Sequence, residues 1–402
     1  MSRFLPYSPD QGYLLPPSVK DELGKDHLCC FVHEVVEWLD VSAFEQEYSA
    51  EGGGLYAPAL MLKVWLYAYA LGITSARRLE QRIGEDLARR YLGGGARPDN
   101  WALSAFRRRH ARTLNDAFTQ VLELARQWKM GKLGTVAVDS TRIRACSSGA
   151  RIDTEQRLRN ERARLRRQVR QWQQQCNGED PDEGAGARVP PSTLEQLQQR
   201  LASSLTAISA VYPTTNPSRL RRQRASGSVR GNLPTPLLCN RSSRGGIEHL
   251  ITAQRVTQAA ADNHSLLPLV EEVEQRCGRR PRRVLADAGF FASENLRPLQ
   301  GRGIDAYVPD SNLARALNRG EPLRDGPDAH TDPHLLAMRQ KLRSQAGHRI
   351  YQQRKALVEP VFGVLKQQRG MRQFRTRGLP KVGGEFTLSC LAYHLTRLYK
   401  LR

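Results

Sequence analysis

The sequence predicts an α/β domain preceded by an all-α region, and three observations carry that expectation. Up to about residue 130 the apolar residues recur at three- and four-residue spacing, the period of packed amphipathic helices. From Leu133 short β-branched runs appear and alternate with helical stretches, the pattern of strands joined by helices. Two of these runs, VAVD and VLAD, close on an aspartate, Asp139 and Asp287.

In the first region HLCCFVHEVVEWLD and PALMLKVWLYAYALG have the helical period, and Pro58 stands where a missing N–H costs least. SARRLEQRIGEDLARRYLGGG follows, with Ser75 as N-cap and the Gly93–Gly95 run as its stop. ALSAFRRRHARTLNDAFTQVLELARQW forms another long helix, basic in its first half through Arg107, Arg108, Arg109 and Arg112. That segment is the candidate for entry into a DNA major groove. A helical scaffold with merely solvated charges accounts for the composition equally well.

Beyond Leu133 a strand is expected from Thr135 to Val138, with Asp139 at its end. A charged helix from Asp153 to Gln175, a polar loop and the helix STLEQLQQRLASSLTAIS resemble a helical hairpin inserted into another fold. Thr215–Gly246 holds seven Arg, no Asp or Glu, and neither structural period, which suits an arginine-rich DNA-contacting loop or disorder. IEHLITAQRV, RRVLADAGF and IDAYVP then read as strands, SLLPLVEEVEQRCG and SENLRPLQGRG as helices, and the chain from Pro333 onward as mostly helical.

The charge narrows the partner. Sixty-two Lys and Arg against forty Asp and Glu give +22 and an isoelectric point near 10.2, which demands a polyanion. The longest apolar stretch, Ala57 to Leu71, is broken by Lys63 and too short to span a bilayer. No charged-then-apolar leader opens the sequence. Nucleic acid in the cytoplasm, at the nucleoid, is therefore the expected partner, and a membrane is not. Seven scattered cysteines without C-x-x-C spacing are expected to be reduced packing residues.

A third acid joins the two aspartates. Glu359 lies among Leu357, Val358, Val361 and Phe362, where an unpaired carboxylate is costly to bury, so it requires a metal or a basic neighbour such as Arg354 or Lys366. On a continuous helix Glu359 and Lys366 lie about 20° from one line. Pro360 suits a helix that restarts here and otherwise kinks a longer one. Three carboxylates without a Cys/His cluster form an oxygen-donor set suited to Mg²⁺ or Mn²⁺. Two such ions, roughly 3.5–4 Å apart, activate the attacking oxygen and stabilise the leaving one in phosphoryl transfer. From Tyr351 to Arg402 there are eleven Lys and Arg and only two acids, a phosphate-binding surface beside those carboxylates.

VAVDSTRIRA, VLADAGFF and the spacing Y-x2-R-x4-E-x6-K (Tyr351, Arg354, Glu359, Lys366) resemble the three signature blocks of bacterial insertion-sequence DDE transposases, the group with a Y-R-E-K-type third-acid signature. GMRQFRTRGLPKVGGEFTLSCLAYHLTRL and the run from HLCCFVHEVVEWLD through YAPALMLKVWLYAYALGITSARRLEQR are similar to that family as well. The resemblance implies an RNase H-like catalytic domain over 131–402, interrupted by a helical and Arg-rich insertion at 150–246, and a helical DNA-binding domain over 1–130. It implies that Asp139, Asp287 and Glu359 are catalytic and hold two Mg²⁺ ions, with Mn²⁺ as a substitute. Tyr351, Arg354 and Lys366 would contact DNA, with a purely structural role for Tyr351 an equal alternative, and the partners would be terminal inverted repeats, target DNA and a second copy when ends are synapsed. The implied reaction is cleavage at element ends followed by strand transfer. The alternatives are a same-fold nuclease without strand transfer and a defective remnant that only binds ends.

Two departures stand against the pattern. Four residues separate Arg354 from Glu359 where the family often has three. An RNase H-like sheet also needs its second and third strands soon after the first acid, yet Thr215–Gly246 offers almost nothing to pair or bury. Its sharp onset, composition and sharp return are what a locally out-of-frame translation leaves.

Overall fold

The computed structural model describes residues 18–24, 26–48, 55–130, 133–146, 160, 163–168, 170, 232–241, 249–257, 263–319 and 332–402. The helical hairpin expected between Asp153 and Ser209 lies outside these residues, except for helical residues 160, 163–168 and 170. The chain divides into two compact units, Met1–Cys146 with Leu233–Arg402, and Ser147–Asn232. Every residue of the candidate site belongs to the first.

Among the described residues seven helices precede the sheet: α1 Leu28–Trp38, α2 Ser42–Glu45, α3 Pro58–Ala70, α4 Ala76–Glu85, α5 Leu87–Leu92, α6 Asn100–Arg109 and α7 Thr113–Gln127. Among the described residues no strand comes before Thr135. α3 is apolar on all sides and buried from Met61 to Tyr69. Lys63 interrupts that run at little cost because its ammonium is ion-paired with Glu37 of α1. No helix of the described residues is long and apolar enough to cross a membrane.

Two helices expected as single pieces are broken. Asp86 ends α4 and starts α5: its Oδ1 accepts the N–H of Arg89 at 3.1 Å, offering the backbone a cap in place of a continuing turn. Ser75 stands at the N-cap position of α4 without a side-chain bond there, whereas Gly93 does end α5. The basic helix breaks at His110–Arg112, between α6 and α7. No Gly or Pro marks this break; His110 at the corner is buried, 3.0 Å from the Tyr48 hydroxyl and 3.1 Å from Glu47.

The sheet comprises β1 Thr135–Arg144, β2 Asn232–Arg241, β3 Leu250–Gln254, β4 Arg283–Leu285 and β5 Asp305–Tyr307, in the order β3-β2-β1-β4-β5. β1, β4 and β5 run parallel, and β2 pairs antiparallel with β3 with a register shift between Leu238 and Cys239. β2 falls inside the stretch whose composition offered nothing to pair. Ladder bonds are made by backbone groups, which every residue but proline supplies in full, and the pairs with β3 run from Leu237 to Asn240, past Pro234 and Pro236. The rest of 215–246 lies outside the described residues. β1 also runs on past Asp139: Ile143 is buried, and Arg144 exchanges backbone bonds with Arg372 (3.1 Å) and Phe374 (2.9 Å).

Between and after the strands come α8 Leu266–Cys277, ended by Gly278 in the left-handed region, α9 Ser293–Gly301, α10 Ser311–Arg319, α11 Pro333–Arg343, α12 Gln345–Gly363 and α13 Leu379–Leu401. α13 is buried along most of its length and packs against α1, α3, α6, α7 and β3, so the helices before the sheet and the sheet itself share one core. It crosses the α6–α7 corner closely: a Cβ on Gly384 would lie 2.6 Å from the Ala111 Cα. His394 of α13 accepts the N–H of Ile251 at 3.1 Å, satisfying a backbone donor of the edge strand β3.

Candidate active site

Strand pairing brings the two aspartates to adjacent chain segments. β1 and β4 are parallel with Ala137 opposite Leu285, the last pair of the ladder, and two residues further along each chain lie Asp139 and Asp287. Asp139 lies within β1 and not at its end. Asp287 leaves β4 and caps the 3-10 turn Ala288–Phe290, its Oδ1 accepting the N–H of Gly289 at 3.0 Å. A Cβ on Gly289 would lie 3.2 Å from that oxygen, so glycine permits the close approach.

α12 packs against β1 and carries Tyr351, Arg354 and Glu359. Glu359 is exposed, so the burial argument for its needing a cation does not hold at this position. Pro360 sits inside the last turn of α12, and the helix then widens into a π-helical turn, Val364–Gln368. Lys366 lies in that turn, which removes it from the straight line expected with Glu359, because a π turn needs more residues per revolution. Burial and the charge of Arg372 push its ammonium pKa down.

Arg354 is the cation actually at the acids. Its Nη1 lies 2.9 Å from Asp139 Oδ2, with the two side chains 12% and 20% exposed. The Oδ1 of Asp139 accepts the N–H of Ser140 at 2.9 Å. Burial raises the Asp139 carboxyl above the ordinary value, Arg354 and the Ser140 N–H oppose that rise, and the negative charge of Glu359 adds to it. For Arg354, burial works against the charge, but Asp139, Tyr351 and Asp287 outweigh it and raise its pKa. Tyr351 is 6% exposed and its phenol is raised by burial. Tyr351 and Arg354, with Gln352, Lys355 and Leu317, line an open pocket of about 240 Å³. Gln352 and Lys355 were not singled out from the sequence, although Lys355 follows Tyr351 by one helical turn.

The acids match a hard divalent ion in kind, being oxygen donors that act on one another electrostatically. They are not gathered around one point: among the described residues no three His, Cys, Asp or Glu lie together closely enough to hold an ion.

The four arginines predicted to meet DNA separate. Arg108, Arg109 and Arg112 are exposed, with Arg109 placed over the Tyr48 ring at 4.5 Å. Arg107 is turned inward: Nη1 donates to the Tyr69 hydroxyl and the Thr74 carbonyl, both at 2.9 Å, and the guanidinium covers the Trp65 ring. Glu385 lies 3.8 Å from it, wholly buried, and accepts from the N–H groups of Arg375 and Thr376 and from the Thr376 hydroxyl. Sequence inspection counted Glu385 only as one of two acids in a basic tail; its burial depends on contacts between distant segments.

Comparison with known families gives the class first. The family described as Transposase domain (DUF772) matches residues 17–109, covering α1 to α6. The family described as Transposase DDE domain matches residues 328–399, which include Tyr351, Arg354, Glu359 and Lys366. Together they bear out the resemblance to insertion-sequence DDE transposases, and the DDE domain implies an RNase H-like fold for the chain that carries this sheet. No curated protein matches the chain.

Proposed function

We propose that this chain is a transposase that cuts phosphodiester bonds at the ends of an insertion sequence and joins the freed ends to target DNA. The observation that carries the reading is that Asp139 of β1 and Asp287, just past the paired strand β4, both act on Tyr351 and Arg354 of the helix that bears Glu359. Asp139, Asp287 and Glu359 would hold Mg²⁺, with Mn²⁺ as a substitute and two ions in all. Bound there, the ions would supply Lewis-acid stabilisation of the attacking and leaving oxygens.

The chain's own residues would do the rest. Arg108, Arg109 and Arg112, exposed at the α6–α7 corner, would contact the duplex backbone, and Arg107 would anchor that corner from within. Tyr351, Arg354 and Lys366, with Lys355, would meet phosphates near the reacting bond; the open pocket beside Tyr351 and Arg354 supports this. The helices before the sheet would form the DNA-binding part over 1–130, and the catalytic part would extend over 131–402 with an insertion at 150–246. Two copies would synapse a pair of ends. A second reading, a protein that binds ends without cutting them, draws support from the ungathered acids.

The test is cleavage of a labelled duplex carrying the element's terminal repeat, with Mg²⁺, Mn²⁺ or EDTA, for wild type and Asp287→Ala. Metal-dependent nicking at the repeat boundary, reduced by roughly 10³-fold or more in the mutant, is expected. Binding by both proteins with cutting by neither would establish the second reading. Joined products in the same reaction separate a transposase from a nuclease of the same fold.

A further inference from the structure

We propose that the far end of β1 and the extended segment 372–377 beside it form a further duplex-binding surface, one that grips phosphates away from the bond that reacts. Its contact residues are Arg142, Arg144, Arg375 and Arg377. The inference rests on the reading of the chain as a DNA-cutting protein and adds where the duplex is held.

β1 continues for five residues past Asp139. Arg142 and Arg144 are exposed there on either side of the buried Ile143. By the alternation of a strand they point away from the face that carries Asp139 and Ile143. They also lie about 10 and 17 Å further along it, at roughly 3.3 Å per residue. The phosphate that reacts at Asp139 is therefore not theirs.

Segment 372–377 runs parallel to that end, with Gln373 opposite Arg144. Arg144 donates its N–H to the Arg372 carbonyl at 3.1 Å and accepts that of Phe374 at 2.9 Å. Phe374 and Thr376 are buried while Arg375 and Arg377 are exposed, the same alternation as in β1. Arg377 Nε donates to the Cys146 carbonyl at 3.0 Å, which fixes its guanidinium beside the residues that follow β1.

A wholly buried carboxylate sets this segment. Glu385 accepts the N–H of Arg375 at 2.9 Å, and both the N–H and the hydroxyl of Thr376 at 2.8 Å. With its backbone tied inward, the segment presents Arg375 and Arg377 outward at little ordering cost when a ligand arrives. Arg107 lies 3.8 Å from the same carboxylate, so the surface is tied to α6, which also carries Arg108 and Arg109. Its charge is left unneutralised. The exposed Arg280 and Arg297 have acids beside them, Glu274 and Asp332, whereas none of these four is ion-paired with an acid among the described residues. Four such guanidinium groups on a rigid ledge fit a duplex, a stiff polyanion with one charge about every 1.7 Å of its axis.

The experiment is the salt dependence of binding of a labelled duplex, carrying the element's terminal repeat, to the full chain by fluorescence anisotropy. Arg142→Ala/Arg144→Ala and Arg375→Ala/Arg377→Ala should each lower the slope of log affinity against log salt by about two units. Each should weaken binding on the order of tenfold at physiological salt. Arg375→Lys/Arg377→Lys keeps both charges and should keep the wild-type slope. Arg280→Ala/Arg297→Ala removes the same net charge from paired positions and should keep it too; an equal fall there assigns the effect to net charge and overturns the surface. Unchanged slopes in both alanine pairs of the surface overturn it as well, with the cutting reading intact. A wild type that does not bind the duplex overturns the inference and that reading together. If an alanine pair does not fold, protection of these arginines in the wild type from phenylglyoxal by bound duplex decides, and unprotected arginines overturn the inference.

Discussion

Two part-buried arginines, Arg107 and Arg354, were both expected to meet DNA, and their surroundings differ in kind. Arg107 is anchored: its Nη1 donates to a hydroxyl and a backbone carbonyl and its guanidinium covers an indole face, with the buried Glu385 close by. Arg354 is held by charge, 2.9 Å from Asp139 with Tyr351 and Asp287 also acting on it, and an open pocket lies beside it. A guanidinium that bonds backbone and a buried hydroxyl is part of the fold. One held by charge at the edge of a pocket keeps the capacity to change partners. Burial alone does not separate a structural arginine from a working one; the number and direction of its bonds does.

The largest effect expected from this difference is on stability. Arg107→Gln should cost about 3–5 kcal/mol in urea denaturation, because it breaks a buried network and removes the one cation beside the buried Glu385, whose remaining partners are the N–H groups of Arg375 and Thr376 and the Thr376 hydroxyl. Arg354→Gln should cost about 1 kcal/mol, the net worth of one polar contact. Equal losses would erase the distinction.

A second measurement probes the same core on its other side. His394 is wholly buried and neutral, its pKa pushed down to about 3 by burial, with the Ile251 N–H bonded to its Nε2. The unfolded chain binds this proton at its ordinary value of 6.5 and the folded one does not. Stability should therefore be lost as pH falls from about 6.5 towards about 3, by about 1.4 kcal/mol per pH unit for this group. His394→Gln keeps an acceptor for Ile251 and removes the titration. Its melting temperature should fall less steeply with acid than that of wild type, and parallel curves would show that His394 does not couple to folding.

The smallest stability effect is predicted at the exposed arginines. Arg108→Ala and Arg112→Ala should change stability by about 0.5 kcal/mol or less. Each should lower the salt dependence of duplex binding by about one unit of slope if it neutralises a phosphate. Unchanged slopes in both would return the α6–α7 corner to the status of a solvated face.

Much of this was legible in the residues. The apolar periods of α1, α3 and α8, the Gly278 stop, and the short runs VAVD and VLAD depend on neighbours within a few positions, so local sequence reveals them. The breaks at Asp86 and His110 were not legible: at the first the Asp86 side chain takes the Arg89 N–H, and at the second His110 is buried against Tyr48 and Glu47, more than sixty positions away. β2 was hidden for another reason: its pairing with β3 uses backbone groups that carry no compositional mark. At the site, sequence picked out Asp139, Asp287 and Glu359 as acids in a basic chain, and the family matches supplied the class.

Sequence by itself determined the charge, the alternation of strands and helices, and the residue types available for phosphoryl transfer, since these are properties of single residues and short windows. Tertiary structure alone decided that Arg107 faces inward while Arg108 faces out, that Asp139 and Asp287 both act on Arg354, that Glu359 is exposed, and that Arg354 is ion-paired with Asp139. Those outcomes depend on which strands pair and which helix lies over them. Such contacts join residues tens to hundreds of positions apart, and no local pattern encodes them.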